Sequence, residues 1–131
     1  MIGLDTNVLV RYIMQDDPKQ SPKANKLVES LDGENPGFIT LISVVELYGV
    51  LTSSFDLSGE QAAQALGAII QTKQLLVEQA DQVLQALRMF GEGKADFPDC
   101  LIQRLAANAG CTQTMTFDAG VAKHGGMTLI H

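Results

Sequence analysis

Residues 1–18 of the chain, MIGLDTNVLVRYIMQDDP, decide the fold. The first four residues are apolar and predict a short buried strand, which ends on the acidic residue Asp5. Apolar residues then recur at helical spacing from Val8 to Ile13, so we expect a helix that ends before Asp16-Asp17-Pro18. A strand that leads at once into a helix is the repeating unit of parallel α/β folds.

The rest of the chain continues this alternation. A helix is predicted to open at Ser21-Pro22, where a capping residue precedes a proline, and to run to about Leu31. Further strands are predicted at 38–42, 75–77, 112–117 and 127–130, with helices between them. We therefore expect an α/β fold with a single domain over residues 1–131, in which helices flank a central parallel sheet of four to five strands.

Two serines have the pattern of helix N-caps. Ser43 is followed by Glu46 three residues later, which predicts a capping box at the start of the helix after the second strand. Ser58 and Gln61 have the same form and predict the start of the next, longer helix.

The composition favours one domain that lies in the cytoplasm. Of the 131 residues 46% are hydrophobic, enough for a core of its own. No apolar run reaches the ~20 residues of a membrane span, and no basic segment with a cleavage site opens the chain. Two cysteines are too few for a disulfide scaffold or a zinc site, and Cys100 is expected to be a buried thiol.

The net charge of −6 argues against a simple nucleic-acid binder. Nine lysines and arginines face fifteen acids, whereas proteins that bind nucleic acids usually carry a basic face. An acidic protein can still act on a polyanion if divalent cations lie between its carboxylates and the phosphates.

Four acids stand where strands meet helices. Asp5 and Asp118 end predicted strands, and Glu46 lies in the first turn of the helix after the second strand. Asp99 lies in the first turn of the helix before the fourth strand. Because ligands of open α/β sheets bind beyond the carboxyl ends of the strands, we expect these acids to converge there.

Each acid also has a purely structural explanation, because a carboxylate at a helix N-terminus stabilises the helix by ~0.3–1 kcal/mol. As a set they are better explained by a bound cation. An unpaired carboxylate at the end of an apolar strand is costly to bury, and several carboxylates repel one another unless a cation is present. Oxygen ligands without cysteine or histidine favour Mg²⁺ or Mn²⁺ over zinc.

Such a site favours phosphodiester hydrolysis. No serine, cysteine or histidine stands in a nucleophile pattern and no glycine-rich phosphate loop is present, so metal-bound water is the expected nucleophile. An aspartyl-phosphatase interpretation of Asp5 has less support, because Asn7 stands where that chemistry needs a second acid.

Four segments resemble the motifs of VapC-type PIN-domain toxins, in the family's order and over essentially the whole chain. They are Asp5-Thr6-Asn7-Val8-Leu9-Val10-Arg11-Tyr12 with Asp16-Asp17-Pro18, Ser43-Val44-Val45-Glu46-Leu47, Ala95-Asp96-Phe97-Pro98-Asp99-Cys100-Leu101-Ile102, and Thr116-Phe117-Asp118. The resemblance implies a Mg²⁺- or Mn²⁺-dependent endoribonuclease that is the toxin half of a type II toxin–antitoxin pair.

The resemblance also assigns roles to single residues. The family's four acidic positions fall on Asp5, Glu46, Asp99 and Asp118. Asp96 matches an additional acid that serves as an auxiliary ligand. The polar neighbours expected to orient carboxylates or waters are Thr6, Asn7 and Thr116.

Toxins of this kind usually form homodimers and are blocked by a VapB-like antitoxin, whose C-terminal segment enters the active-site groove. Pro98 departs from the small residue usual at its position, although a proline fits the first turn of a helix. Arg11, Lys94 and Arg104 lie near the acidic motifs and are candidates to meet RNA phosphates, with solvated surface charge as the alternative.

Two other functions stay open at this point. One is a PIN-type nuclease that acts in RNA maturation or on DNA without an antitoxin. The other is a PIN-like module that binds RNA or a partner without cutting. The sequence also leaves open which RNA is cut and whether one or two ions, Mg²⁺ or Mn²⁺, are bound.

Overall fold

The computed structural model describes residues 1–131, which form two compact units, Met1–Glu78 (unit 1) and Gln79–His131 (unit 2). The elements of unit 1 are β1 (Ile2–Gly3), α1 (Thr6–Met14), α2 (Gln20–Glu29), β2 (Gly37–Ile39), α3 (Leu41–Ser53), α4 (Gly59–Gln71) and β3 (Leu75–Val77). Those of unit 2 are α5 (Ala80–Glu92), α6 (Phe97–Asn108), β4 (Met115–Thr116), α7 (Ala119–His124) and β5 (Thr128–Leu129).

Unit 1 is a parallel sheet with helices packed on it and on one another. The strand order is β1-β2-β3, so β2 lies in the centre and β3 on an edge. Helix α1 packs against α2 and α3, and α3 packs against α4. At the start of β2 the packing is so close that a Cβ on Gly37 would come within 2.8–3.0 Å of the side chains of Leu4, Leu31 and Leu75.

The α/β class is confirmed, and every strand pairing is parallel. The single sheet of four to five strands is wrong in one respect, because the five strands divide into a sheet of three and a separate pair, β4-β5. Only Met115 and Thr116 of the segment predicted at 112–117 form β4, although the Thr114 carbonyl just before it also accepts the Thr128 N–H at 2.8 Å. Strand β1 is exposed rather than buried, with Ile2 39% exposed.

Helix α3 begins differently from the prediction. Strand β2 ends at Ile39, and Thr40 caps the helix with its backbone extended and its Oγ1 accepting the Ser43 N–H at 3.2 Å. Ser43 therefore lies inside the helix, and the predicted capping box between Ser43 and Glu46 is wrong. The consequence for Glu46 is that a capping role does not explain its presence.

Helix α2 is also capped by a different residue from the one predicted. The Asp17 Oδ1 accepts the backbone N–H groups of Lys19 and Gln20 at 2.9 and 2.7 Å, while the Ser21 Oγ accepts the N–H of Asp17 at 3.3 Å. These amide hydrogen bonds hold the pKa of the Asp17 carboxyl below its ordinary value. The prediction that Ser21 is the cap is wrong, whereas the capping box of Ser58 and Gln61 at the start of α4 is confirmed.

In unit 2, helices α5 and α6 pack against each other, and the thiol of Cys100 is buried as predicted. Burial raises the pKa of the Cys100 thiol, and the negative charges of Asp99 and Asp96 raise it further. None of the helices has the length and apolar character that a membrane span requires.

Candidate active site

Asp5 caps α1 and keeps one carboxylate oxygen free of hydrogen bonds. Its backbone is extended and its Oδ1 accepts the Thr6 N–H at 2.8 Å. The side chain is exposed to solvent, as is that of Asp118. The argument from the cost of burying an unpaired carboxylate therefore does not apply to Asp5 or Asp118, because each strand stops short of its acid and each acid caps a helix.

Glu46 is held by a buried threonine. The Thr6 hydroxyl, on a residue only 6% exposed, donates to the Glu46 Oε1 at 3.1 Å. The Thr6 Oγ1 also lies 3.3 Å from the Oγ of Ser43, which in turn is 3.4 Å from the Oγ1 of Thr40. Since a hydroxyl has one proton to donate and can accept others, a chain of three hydroxyls ends on the carboxylate. This contact fixes the first turn of α1 beside Glu46 of α3.

The three acids of unit 2 stand at the starts of helices. Asp96 caps α6 through its Oδ1, which accepts the Phe97 N–H at 2.9 Å. Asp99 lies in the first turn of the same helix. Asp118 caps α7 through its Oδ1, which accepts the two N–H groups of residues 120 and 121 at 2.8 and 3.1 Å. The Thr116 Oγ1 accepts the backbone N–H of Asp118 at 3.1 Å and so fixes the turn that presents it.

Asp96 and Asp118 act electrostatically on Asp99. Burial raises the pKa of the Asp99 carboxyl, and the negative charges of Asp96 and Asp118 raise it further. Asp99 is half-buried, and no basic side chain forms an ion pair with Asp99 or Asp118. A divalent cation would relieve this repulsion, and carboxylate oxygens are its preferred ligands. The donor set of unit 2 therefore fits Mg²⁺ or Mn²⁺ chemically.

No group of three or more histidine, cysteine, aspartate or glutamate side chains is drawn together tightly enough in the structure to bind one ion. What the structure brings together in unit 1 is Glu46 with Thr6, next to the cap residue Asp5. In unit 2 it places Asp96 and Asp118 within electrostatic reach of Asp99.

The remaining predicted residues have varied environments. Asn7 is exposed and lines a cavity between α1 and α2. Arg11 forms an ion pair with Asp16 at 2.9 Å, so its charge is already compensated. Lys94 is exposed, and the Nε of Arg104 is buried without a hydrogen-bond partner.

The hydroxyls of Ser43 and Thr40 are site residues that sequence reasoning missed. Their signal in the sequence is a threonine that follows the second strand and stands three residues before a serine. The same pattern is typical of an ordinary helix N-cap, so it does not point to a functional site.

Comparison with known proteins identifies the family. The model of the PIN domain matches residues 2–127. The chain belongs to the PIN-domain family. No curated protein sequence matches the chain.

Two solved structures are similar to this PIN domain over nearly their full length. One is the toxin VapC20 of Mycobacterium tuberculosis, described as cleaving the sarcin-ricin loop, with 18% identity, 95% of each chain covered and a TM-score of 0.48. The other is VapBC2 of Rickettsia felis bound to a DNA fragment from its promoter, with 20% identity, 99% of this chain and 98% of that chain covered, and a TM-score of 0.37.

Proposed function

We propose that the protein is a Mg²⁺- or Mn²⁺-dependent endoribonuclease and the toxin component of a VapBC-like type II toxin–antitoxin system. The observation that carries the proposal is the half-buried position of Asp99 within electrostatic reach of two further carboxylates, Asp96 and Asp118, with no ion pair at Asp99 or Asp118. In a PIN domain that also bears the four ordered motifs, such a set of carboxylates supports divalent-metal chemistry on phosphodiesters.

The proposed metal ligands are the carboxylates of Asp5, Glu46, Asp99 and Asp118, with Asp96 as an auxiliary ligand. Bound by these residues, a divalent cation would neutralise charge at the scissile phosphate and would lower the pKa of the water that attacks phosphorus. The two units are proposed to act as one PIN domain over residues 1–131, in agreement with the family match that spans both.

Neighbouring groups hold these carboxylates in defined orientations. Thr6 donates to one oxygen of Glu46, so the other oxygen is available to a ligand. Asp5 and Asp118 each use Oδ1 to accept backbone N–H groups, which leaves Oδ2 without a hydrogen bond. Capping and metal binding are therefore compatible in the same side chain, because each role uses a different oxygen.

The partners follow from this function. RNA is the proposed substrate, a VapB-like antitoxin the proposed inhibitor and a homodimer the proposed assembly, all three supported by the resemblance of the four motifs. A toxin that cuts cellular RNA acts in the cytoplasm, which is the location we propose.

A cleavage assay tests the enzymatic part of the proposal. Purified protein is incubated with total RNA in Mg²⁺, Mn²⁺ or EDTA, and Asp5→Asn and Asp99→Asn are compared with wild type. We expect cleavage only with metal and a loss of about a hundredfold or more in each variant, similar to the loss of other transition-state contacts. Asp81→Asn, an exposed acid in the first turn of α5, is the matched control and should cleave like wild type. Equal cleavage by all four proteins in EDTA would contradict the proposal.

Expression in cells tests the toxin part separately. Induction of the wild-type chain should arrest growth, and co-expression of the gene beside it should restore growth. If the protein cleaves RNA in vitro but a neighbouring gene product neither binds nor inhibits it, the function is that of a PIN nuclease without an antitoxin.

A further inference from the structure

A cavity of about 260 Å³ lies between α1 and α2, beside the candidate active site in unit 1. Its floor is apolar and consists of Val8, Ala24 and Leu27. Asn7 lines its edge, one residue after the threonine that holds Glu46 and two residues after Asp5. A ligand in this cavity therefore contacts Asn7, which directly follows Thr6 in the first turn of α1.

Two cationic side chains, Arg11 and Lys23, line the cavity, and only that of Arg11 forms an ion pair. Arg11 donates to Asp16 through Nη1 at 2.9 Å and to Gln20 through Nε at 2.8 Å, so its guanidinium is fixed and its charge compensated. Lys23 forms no ion pair and is exposed. The cavity is thus an apolar pocket with a planar guanidinium on its rim and one uncompensated positive charge.

Lys23 belongs to a row of lysines on one face of α2. Lys19, Lys23 and Lys26 are all exposed and stand four and three residues apart, which is the spacing of neighbours on a helix surface. At 1.5 Å per residue the row extends over about 10 Å. The only acid within α2 is Glu29, at its last position. Asp16 and Asp17 precede the helix, where Asp16 pairs with Arg11 and Asp17 accepts the N–H groups of Lys19 and Gln20, so the positive charge without an ion pair lies at Lys23 and Lys26.

We propose that single-stranded RNA docks on this surface, with one base in the cavity and its phosphates along the lysine row. The inference rests on the proposed function, because it names where the substrate of that same nuclease is held. Unpaired bases bind on guanidinium planes and hydrogen-bond through their edges, and the side-chain amides of Asn7 and Gln20 offer both donors and acceptors. An acidic peptide satisfies the lysines, but its carboxylate side chains put no flat ring into the apolar cavity beside the Arg11 guanidinium, whereas RNA supplies both a base and phosphates.

The salt dependence of RNA binding tests the lysine row. A labelled single-stranded RNA of about 12 nucleotides is titrated by fluorescence anisotropy in EDTA over a range of salt concentrations. Each lost phosphate contact should reduce the slope of log K against log salt by about 0.7. We expect Lys23→Gln to reduce the slope by that amount and Lys23→Gln with Lys26→Gln to reduce it by about twice as much. Lys73→Gln, an exposed lysine just after α4, should leave the slope unchanged.

A second pair of variants tests the cavity. Ala24→Leu fills its floor, and Gln20→Ala removes an exposed amide together with the hydrogen bond that holds the Arg11 guanidinium, which keeps the test informative if the filled variant does not fold. Both should weaken binding of the normal oligomer severalfold without changing the salt slope, because neither removes a charge. Neither should weaken binding of an abasic oligomer of the same length.

Several outcomes would overturn the inference. These are no RNA binding by wild type, an unchanged slope in the lysine variants, or a changed affinity only for a polyglutamate peptide used as an alternative probe. The proposed function is judged separately, because the binding assay contains no metal. If the protein cleaves RNA but the lysine variants leave the salt slope of binding unchanged, only the docking surface is rejected. If RNA binds through Lys23 but is not cleaved in the presence of metal, only the nuclease function is rejected.

Discussion

Replacing Thr6 by valine removes one hydroxyl and keeps the shape of the side chain. The hydroxyl lies in a buried position, 3.1 Å from the Oε1 of Glu46 and 3.3 Å from the Oγ of Ser43. Hydrogen bonds to charged groups contribute about 1.5–3 kcal/mol and neutral ones about 1 kcal/mol. Because Glu46 is exposed and water competes for its carboxylate, we take about 1 kcal/mol for the Thr6–Glu46 contact.

The variant also leaves Ser43 with one neighbour fewer, so its total cost should be about 1–2 kcal/mol of unfolding free energy. The entropy of unfolding for 131 residues is about 0.3 kcal/mol per kelvin, so Tm should fall by about 4–7 °C. Thr6→Ser retains the hydroxyl and is the matched control. It should keep metal-dependent cleavage near the wild-type rate, whereas Thr6→Val should lower it, because Glu46 is then free to turn away from its ligand position.

A double-mutant cycle isolates the contact. Thr6→Val, Glu46→Ala and the double variant are unfolded with urea in EDTA, and the coupling free energy should be about 1 kcal/mol. A coupling below about 0.3 kcal/mol means that the two substitutions add independently. That result would refute the conclusion that Thr6 holds Glu46.

Two further predictions concern stability without metal. The pKa of Asp99 is raised in the folded state, so the stability linked to this carboxyl is complete below its unfolded pKa of about 3.9 and is lost as pH rises through the folded pKa. Asp99→Asn should therefore be more stable than wild type in EDTA at neutral pH and lose this advantage below the unfolded pKa; an equal effect at both pH values in urea unfolding would argue against a pKa of Asp99 that is raised by burial and by the neighbouring carboxylates. Gly37→Ala should lower the unfolding free energy by about 1–3 kcal/mol through overpacking, whereas Gly67→Ala, in open space on α4, should raise it by about 0.5–1 kcal/mol. Thermal melts compare the two variants, and equal effects would contradict the close packing at Gly37.

Much of the secondary structure follows from local patterns. The capping box of Ser58 and Gln61 and the edge strand at 75–77 depend on neighbouring residues, and both were predictable. The cap of α3 was not, because Thr40 and Ser43 are both good caps. The choice between them depends on where β2 ends and on the contact of Ser43 with Thr6, 37 residues away. Local sequence does not contain that contact.

The candidate site, like the secondary structure, was predictable only in part. The identity of the acids came from motifs in the sequence, whereas their exposure depends on packing. Asp5 and Asp118 follow apolar strands, where burial of a carboxylate would be costly, and both are exposed helix caps. The contact of Thr6 with Glu46 joins residues 40 positions apart, and only the tertiary structure reveals it.

The central claim is that the carboxylates of Asp5 and Asp99 take part in binding a divalent cation. Calorimetric titration of Mn²⁺ into the metal-free protein tests it most directly. Wild type should take up Mn²⁺ with a measurable heat, Asp5→Asn and Asp99→Asn should each lose at least about tenfold in affinity, and Asp81→Asn should bind like wild type. Uptake of Mn²⁺ that is the same in all four proteins, or absent from wild type, would contradict the account.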